Sequence, residues 1–138
     1  MPSAPSRVSA SEFEELIRAT IPHSNAMPFS VALMEQGRAV IDLAFSPEQL
    51  RPGGSLSGPT MFTLADTALY AAVLSEIGLV PLAVTTDLSI HFIKKPRAGL
   101  RAEARLLRCG RRLAVGTVEI TSEGEVVAHA TGTYALPG

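Results

Sequence analysis

Between Ser57 and Gly78 the chain reads as one long helix that is apolar or small on nearly every side. Ser57 or Gly58 is placed to cap its start, and Pro59 at the first helical position gives up only an N–H that would be orphaned anyway. Gly78 supplies the left-handed stop. A surface helix carries one apolar stripe, whereas a helix apolar all round is surrounded by protein. Its only charges are Asp66 and Glu76. Asp66 lies two turns in, too deep to cap the helix or to be rewarded by its dipole. A lone carboxylate in such a helix is costly unless it is paired, solvated or used. Two readings follow: a structural carboxylate bonded to a neighbouring loop amide, or a group that does chemistry.

What surrounds the helix is bounded by composition. With 138 residues the chain can bury one real core but not two, so residues 11–138 are expected to form a single domain behind a flexible leader, Met1–Ala10. Only 18% of residues are charged while 46% are hydrophobic, which favours a homo-oligomer with buried interfaces. A net charge of -1 provides no drive toward nucleic acid or an anionic membrane. No apolar run approaches membrane-span length and the leader has no apolar signal core, so a soluble cytoplasmic protein is expected. The single cysteine, Cys109, excludes an internal disulfide and sits in a predicted turn without a partner His. His23, His91 and His129 show no ligand spacing, so neither a metal site nor another cofactor is expected.

Along the chain, Ser11-Glu12-Phe13-Glu14 reads as a capping box opening a short helix that ends before Pro22. Ser30–Glu35 and Arg38–Phe45 read as strands, and Ser46–Leu56, with Pro47, Pro52, Gly53 and Gly54, as a loop feeding the long helix. Beyond the helix, Val84, Thr86, Leu88, Ile90 and Phe92 alternate with Thr85, Asp87, Ser89 and His91, predicting a long strand with one apolar face. Three further strands cover Leu100–Leu106, Leu113–Thr121 and Val126–Leu136. Their hairpin-length connections predict an antiparallel sheet. The fold class is therefore α+β: a short N-terminal helix and a curved antiparallel sheet wrapped around one long central helix.

This order of elements resembles the hot-dog-fold acyl-CoA thioesterases, in particular the branch of the phenylacetate-pathway and hydroxybenzoyl-CoA enzymes. Phe62-Thr63-Leu64-Ala65-Asp66-Thr67-Ala68 is similar to that branch's helix motif, and Val84–Phe92 followed by Pro96 resembles its central strand. The resemblance implies hydrolysis of an acyl-CoA thioester, with Asp66 acting through a water or directly on the carbonyl. It implies that the Gly58 N–H faces the thioester oxygen, which agrees with the general ability of a helix N-terminus to stabilise an oxyanion. Thr85 matches the residue that helps hold the water. It further implies a dimer or tetramer in which Asp66 of one subunit faces Gly58 of the other.

Two departures from the family pattern bear on catalysis and substrate. Ser57-Gly58-Pro59 stands where the family commonly has His-Gly-Gly; Ser57 can still hydrogen-bond, but Pro59 has no N–H. Arg51 stands near a family Asn, and a guanidinium has donors only. Tyr70, Val73 and Phe92 are expected to shape a pocket for a medium-chain or aryl acyl group. Lys94, Lys95 and Arg97 are candidates for the phosphates of coenzyme A, with Arg108, Arg111 and Arg112 as a second cluster. A hot-dog module that binds acyl-CoA without turning it over is the alternative to the enzyme.

Overall fold

The computed structural model describes residues 4–20, 29–44, 50–51, 55–56 and 58–137. In chain order the elements are α1 (Ala10–Thr20), β1 (Phe29–Glu35), β2 (Arg38–Leu43), β3 (Leu50–Arg51), β4 (Ser55–Leu56), α2 (Gly58–Ile77), β5 (Val84–Phe92), β6 (Leu100–Cys109), β7 (Leu113–Ser122) and β8 (Glu125–Ala135). Six strands form one antiparallel sheet in the order β1-β2-β6-β7-β8-β5. The expected α+β hot-dog architecture is therefore present, with α2 lying on one face of the sheet. The segment expected to be only a loop contains the small β3–β4 pairing, Leu50 against Leu56 and Arg51 against Ser55.

Small residues let the helix come close to the sheet. Ala39, Ala102, Ala104, Ala114, Ala128 and Ala130 are all buried beneath α2, whose own Ala65, Ala68, Ala71 and Ala72 are equally buried. At the middle of the contact two glycines face each other across β7 and β8, Gly116 and Gly132. Leu69 of α2 fills the seat they leave. A Cβ at Gly132 would lie 2.6 Å from Leu69 Cδ2, and one at Gly116 would lie 2.7 Å from Leu69 Cδ1.

One expectation about the N-terminus is corrected. The capping box is Ser9 with Glu12, two residues earlier than the Ser11–Glu14 pairing: Ser9 N donates to Glu12 Oε1 at 3.0 Å, and Glu12 N donates to Ser9 Oγ at 3.1 Å. Glu14 is used elsewhere and accepts a bond from Val31 N at 3.3 Å. Residues 4–9, read as part of a flexible leader, are tied down. Gln36 N donates to Ala4 O, Arg7 N donates to Ser75 O, and Val8 is buried in the core. Backbone pairing and one apolar anchor hold this stretch despite its Pro, Ser and Ala content; Met1–Ser3 lie outside the described residues.

The C-terminal end of α2 is anchored as firmly. Gly78 adopts φ 95° and its N–H closes the helix on Leu74 O at 2.8 Å. The fully buried Ser75 accepts from Gly37 N at 2.9 Å and donates to Ala72 O at 2.6 Å, joining the helix to the β1–β2 turn. The other flank of α2 is only half-covered along Thr63, Asp66, Thr67 and Tyr70, and Phe62 is exposed. Among the described residues no helix is long and apolar enough to cross a membrane.

Candidate active site

Three elements meet at the Asp66 carboxylate. α2 presents Asp66 on its half-covered flank, and β8 and β5 each deliver a hydroxyl to the same oxygen. Tyr134 Oη donates to Asp66 Oδ1 at 2.7 Å, and Thr85 Oγ1 donates to it at 2.8 Å. Tyr134 Oη also approaches the Asp66 carbonyl oxygen at 3.1 Å. Among the described residues Oδ2 receives no hydrogen bond and neither Lys nor Arg pairs with Asp66. Both donors are neutral hydroxyls, and both bond the same carboxylate oxygen.

Thr85 reaches Asp66 because β5 is irregular. Strict alternation groups Thr85 with Asp87, Ser89 and His91 on the polar face. The register with β8 runs Val84–Ala135, Thr85–Tyr134, then skips Thr86 and resumes at Asp87–Thr133. The extra residue is a β-bulge, which re-aims one side chain relative to the next. Thr85 therefore shares the helix-facing side with Tyr134, Leu88 and Ile90, while Asp87, Ser89 and His91 remain outside. Thr86 Oγ1 donates to Thr133 O at 3.2 Å across the bulge.

Tyr134 was missing from the sequence-based candidates. Its position was nevertheless readable: it follows Ala128, Ala130 and Gly132 at period two on the helix-facing side of the last strand. A tyrosine on an inward position needs a partner for its hydroxyl. Burial, and then the neighbouring Asp66 charge, push its pKa well above the ordinary tyrosine value, so the hydroxyl keeps its proton.

Tyr70, expected to shape the acyl pocket, stands behind this cluster. Its ring stacks on Tyr134 with centroids 5.7 Å apart, and Phe13 meets it edge-on at the same distance. Its hydroxyl donates to Pro81 O at 3.3 Å. Val73 is wholly buried in the core.

Gly58 and Phe92 come together at the entrance of α2. A groove of about 540 Å³ there is lined by Gly58, Pro59, Phe62, Thr63, Ile90 and Phe92. The Phe92 ring lies so near the backbone that a Cβ on Gly58 would be 3.2 Å from Cζ. Gly58 and Asp66 of one chain do not meet: eight residues at ~1.5 Å each separate them by about 12 Å along the helix. Ser57 lies outside the described residues, and for Arg51 only the backbone, in β3, is described.

Lys94, Lys95 and Arg97 line a separate hollow together with Ser122, Glu123 and Glu125. Lys94 is ion-paired to Glu125, so the cluster is less cationic than its sequence implied. Arg108, Arg111 and Arg112 lie at the exposed β6–β7 turn. Cys109 is half-buried, and burial followed by Glu76 pushes its thiol pKa up, which disfavours the nucleophilic thiolate. His91 and His129 pair directly across β5 and β8, but among the described residues no group of three or more His, Cys, Asp or Glu is placed to hold a metal ion.

Residues 53–129 match the family model described as the thioesterase superfamily. The acyl-coenzyme A thioesterase PaaI of Escherichia coli is 30% identical over 72% of this chain and 71% of its own. A crystal structure from Silicibacter sp. TM1040, with a provisional thioesterase assignment, is 37% identical and superposes with a TM-score of 0.86 over 99% of this chain and 96% of its own. A Streptococcus pneumoniae protein crystallised with coenzyme A, itself only hypothetically a thioesterase, is 25% identical with a TM-score of 0.77, covering 94% of this chain and 98% of its own.

Proposed function

Because this chain belongs to the thioesterase superfamily and is a thioester hydrolase, we propose that it hydrolyses a medium-chain or aryl acyl-CoA to the free acid and coenzyme A, with Asp66 as the general base. Asp66 carries this function through its asymmetry: two donors occupy Oδ1 and none of the described residues occupies Oδ2. Thr85 spends its only proton on Asp66, so its oxygen can still accept a hydrogen bond from a water beside the carboxylate. That water gives a proton to Oδ2 and adds as hydroxide to the thioester carbon. The tetrahedral intermediate places negative charge on the former carbonyl oxygen. Its collapse breaks the C–S bond, and the departing thiolate takes the proton back from Asp66.

The oxyanion needs a donor within about 3 Å of it. Gly58 of the same chain is about 12 Å from Asp66 along the helix, so its N–H serves the site of a second subunit in a homodimer or homotetramer. Two features of the single chain favour such an assembly. β5 is an edge strand of nine residues whose Val84 and Phe92 are 55% and 53% exposed, and long apolar edges are ordinarily covered. The flank of α2 beside it, along Thr63, Asp66, Thr67 and Tyr70, is only half-covered and leaves room for a second chain.

The acyl group lies in the groove lined by Phe62, Ile90 and Phe92, whose surfaces suit medium-chain and aryl groups. Tyr70 and Val73, about 10 Å and 15 Å beyond Thr63 along α2, do not line this groove. The phosphates of coenzyme A lie near Lys94, Lys95 and Arg97, where Lys94 must exchange its Glu125 partner for phosphate. Arg51 and Ser57 flank the entrance in sequence and are assigned supporting contacts to the substrate and the oxyanion.

A panel of acyl-CoA chain lengths and aryl-CoAs, run with the native chain and with Asp66→Asn, tests this. Asn keeps an oxygen to accept from Tyr134 and Thr85, so fold and ligand binding persist while kcat falls by about 10²–10⁴. Retention of more than about a tenth of native kcat, a loss under ~1.4 kcal/mol, would remove Asp66 from the chemistry. The binding module would then be the better description.

A further inference from the structure

We propose that Tyr134 is the positioning residue of the reaction: its buried hydroxyl fixes the Asp66 carboxylate through Oδ1 and so selects Oδ2 as the oxygen that handles the proton. This rests on Asp66 being the general base. A free carboxylate turns readily about its last torsion, whose two oxygens are equivalent and whose minima are broad. A donor on one oxygen breaks that equivalence, and here two donors sit on the same one, at 2.7 Å and 2.8 Å.

The two donors differ in rigidity. Thr85 is exposed, and it belongs to a bulged edge strand whose hydroxyl can rotate to other partners. Tyr134 has only 3% of its surface accessible, and its ring is clamped by the stack on Tyr70, which Phe13 of α1 braces from the side. Its hydroxyl cannot swing away without moving the ring, and it has no bulk water to turn to. A long-range contact of 68 residues thereby holds the helix carboxylate to the last strand. Tyr134 touches neither substrate nor water in this scheme; it acts through Asp66.

The test is Tyr134→Phe in the full chain, which keeps the ring and removes only the donor. On the best acyl-CoA of the panel, kcat should fall about ten- to a hundred-fold, the scale expected when a reacting group loses its alignment. KM should stay within about twofold of the native value. In the Asp66→Asn background the same substitution should leave the residual rate unchanged, because there is no base left to aim. A merely structural tyrosine would lower the rate equally in both backgrounds, and that result would overturn the proposal. Native-like kcat in Tyr134→Phe would overturn it as well. If the Phe variant is lost to misfolding, Tyr134→Met, which also lacks the donor, is put through the same cycle with the same two refuting results. Failure of the Asp66 reading is distinguishable: Asp66→Asn would itself remain active, whatever Tyr134 does.

Discussion

Gly132→Ala probes the geometry that brings α2 and β8 together. One methyl is added where the structure leaves no room: it would lie 2.6 Å from Leu69 Cδ2, 2.8 Å from Leu88 Cδ1 and 3.1 Å from Asp87 O. Carbon atoms in contact settle at about 3.5–4.0 Å, so roughly 1 Å must be found. Leu69 cannot supply it by turning, because its other methyl already faces Gly116 across the neighbouring strand, where a Cβ would be 2.7 Å away. The helix itself has to rise. Overpacking of this kind costs about 1–3 kcal/mol. The same rise acts on Asp66, one turn before Leu69, against Tyr134, two residues beyond Gly132. Stretching the 2.7 Å bond by about 1 Å takes it past hydrogen-bond range. Gly132→Ala should therefore lower the urea midpoint at unchanged slope and also depress kcat, both measured at one fixed protein concentration. Gly124→Ala is the control. It sits at φ 80° with nothing within 4 Å of an added Cβ, so it should lose about 1 kcal/mol through backbone strain and keep its kcat. A Gly132→Ala protein within about 0.5 kcal/mol of native stability, or one destabilised with native kcat, would refute the tight coupling of helix seat and active site.

Replacing Lys94, Lys95 and Arg97 together by Ala should raise KM for acyl-CoA several-fold and leave kcat nearly intact, since phosphate contacts are the same in ground and transition states; an unchanged KM would move the nucleotide to Arg108, Arg111 and Arg112. Tyr134 keeps its proton in the fold beyond the ordinary tyrosine value of 10.0, and Tyr70 is shifted the same way by burial. Stability from these groups is whole below pH ~10 and is lost as pH rises beyond it toward the raised folded values, so urea midpoints should fall above about pH 10, less steeply in Tyr134→Phe. Ser9→Ala should cost about 1 kcal/mol by opening the capping box of α1, whereas Ser11→Ala should be near neutral in the same thermal melts.

The sequence by itself determined the long elements, though not the short β3–β4 pairing, and one candidate for the site. Pro59 and Gly78 bracket α2, its apolar circumference demands burial, and the cost of a carboxylate within it singles out Asp66. Period-two alternation and short turns similarly determine an antiparallel sheet. These are local rules, in which each residue's neighbours in the chain suffice. Tertiary structure alone decided what Asp66 touches. The pairing that skips Thr86 turns Thr85 inward, against its place in the alternation, and such an irregularity is set by the partner strand rather than by the bulged one. Tyr134 reaches Asp66 across 68 residues, and Leu69 finds its seat only because Gly116 and Gly132 fall opposite one another on adjacent strands. The N-terminal stretch follows the same rule: nothing in its composition announces the backbone partners that Gln36 and Ser75 provide. Local sequence determines which segments form and which side chains are costly to bury; register and close approach between distant segments decide which of those side chains work together.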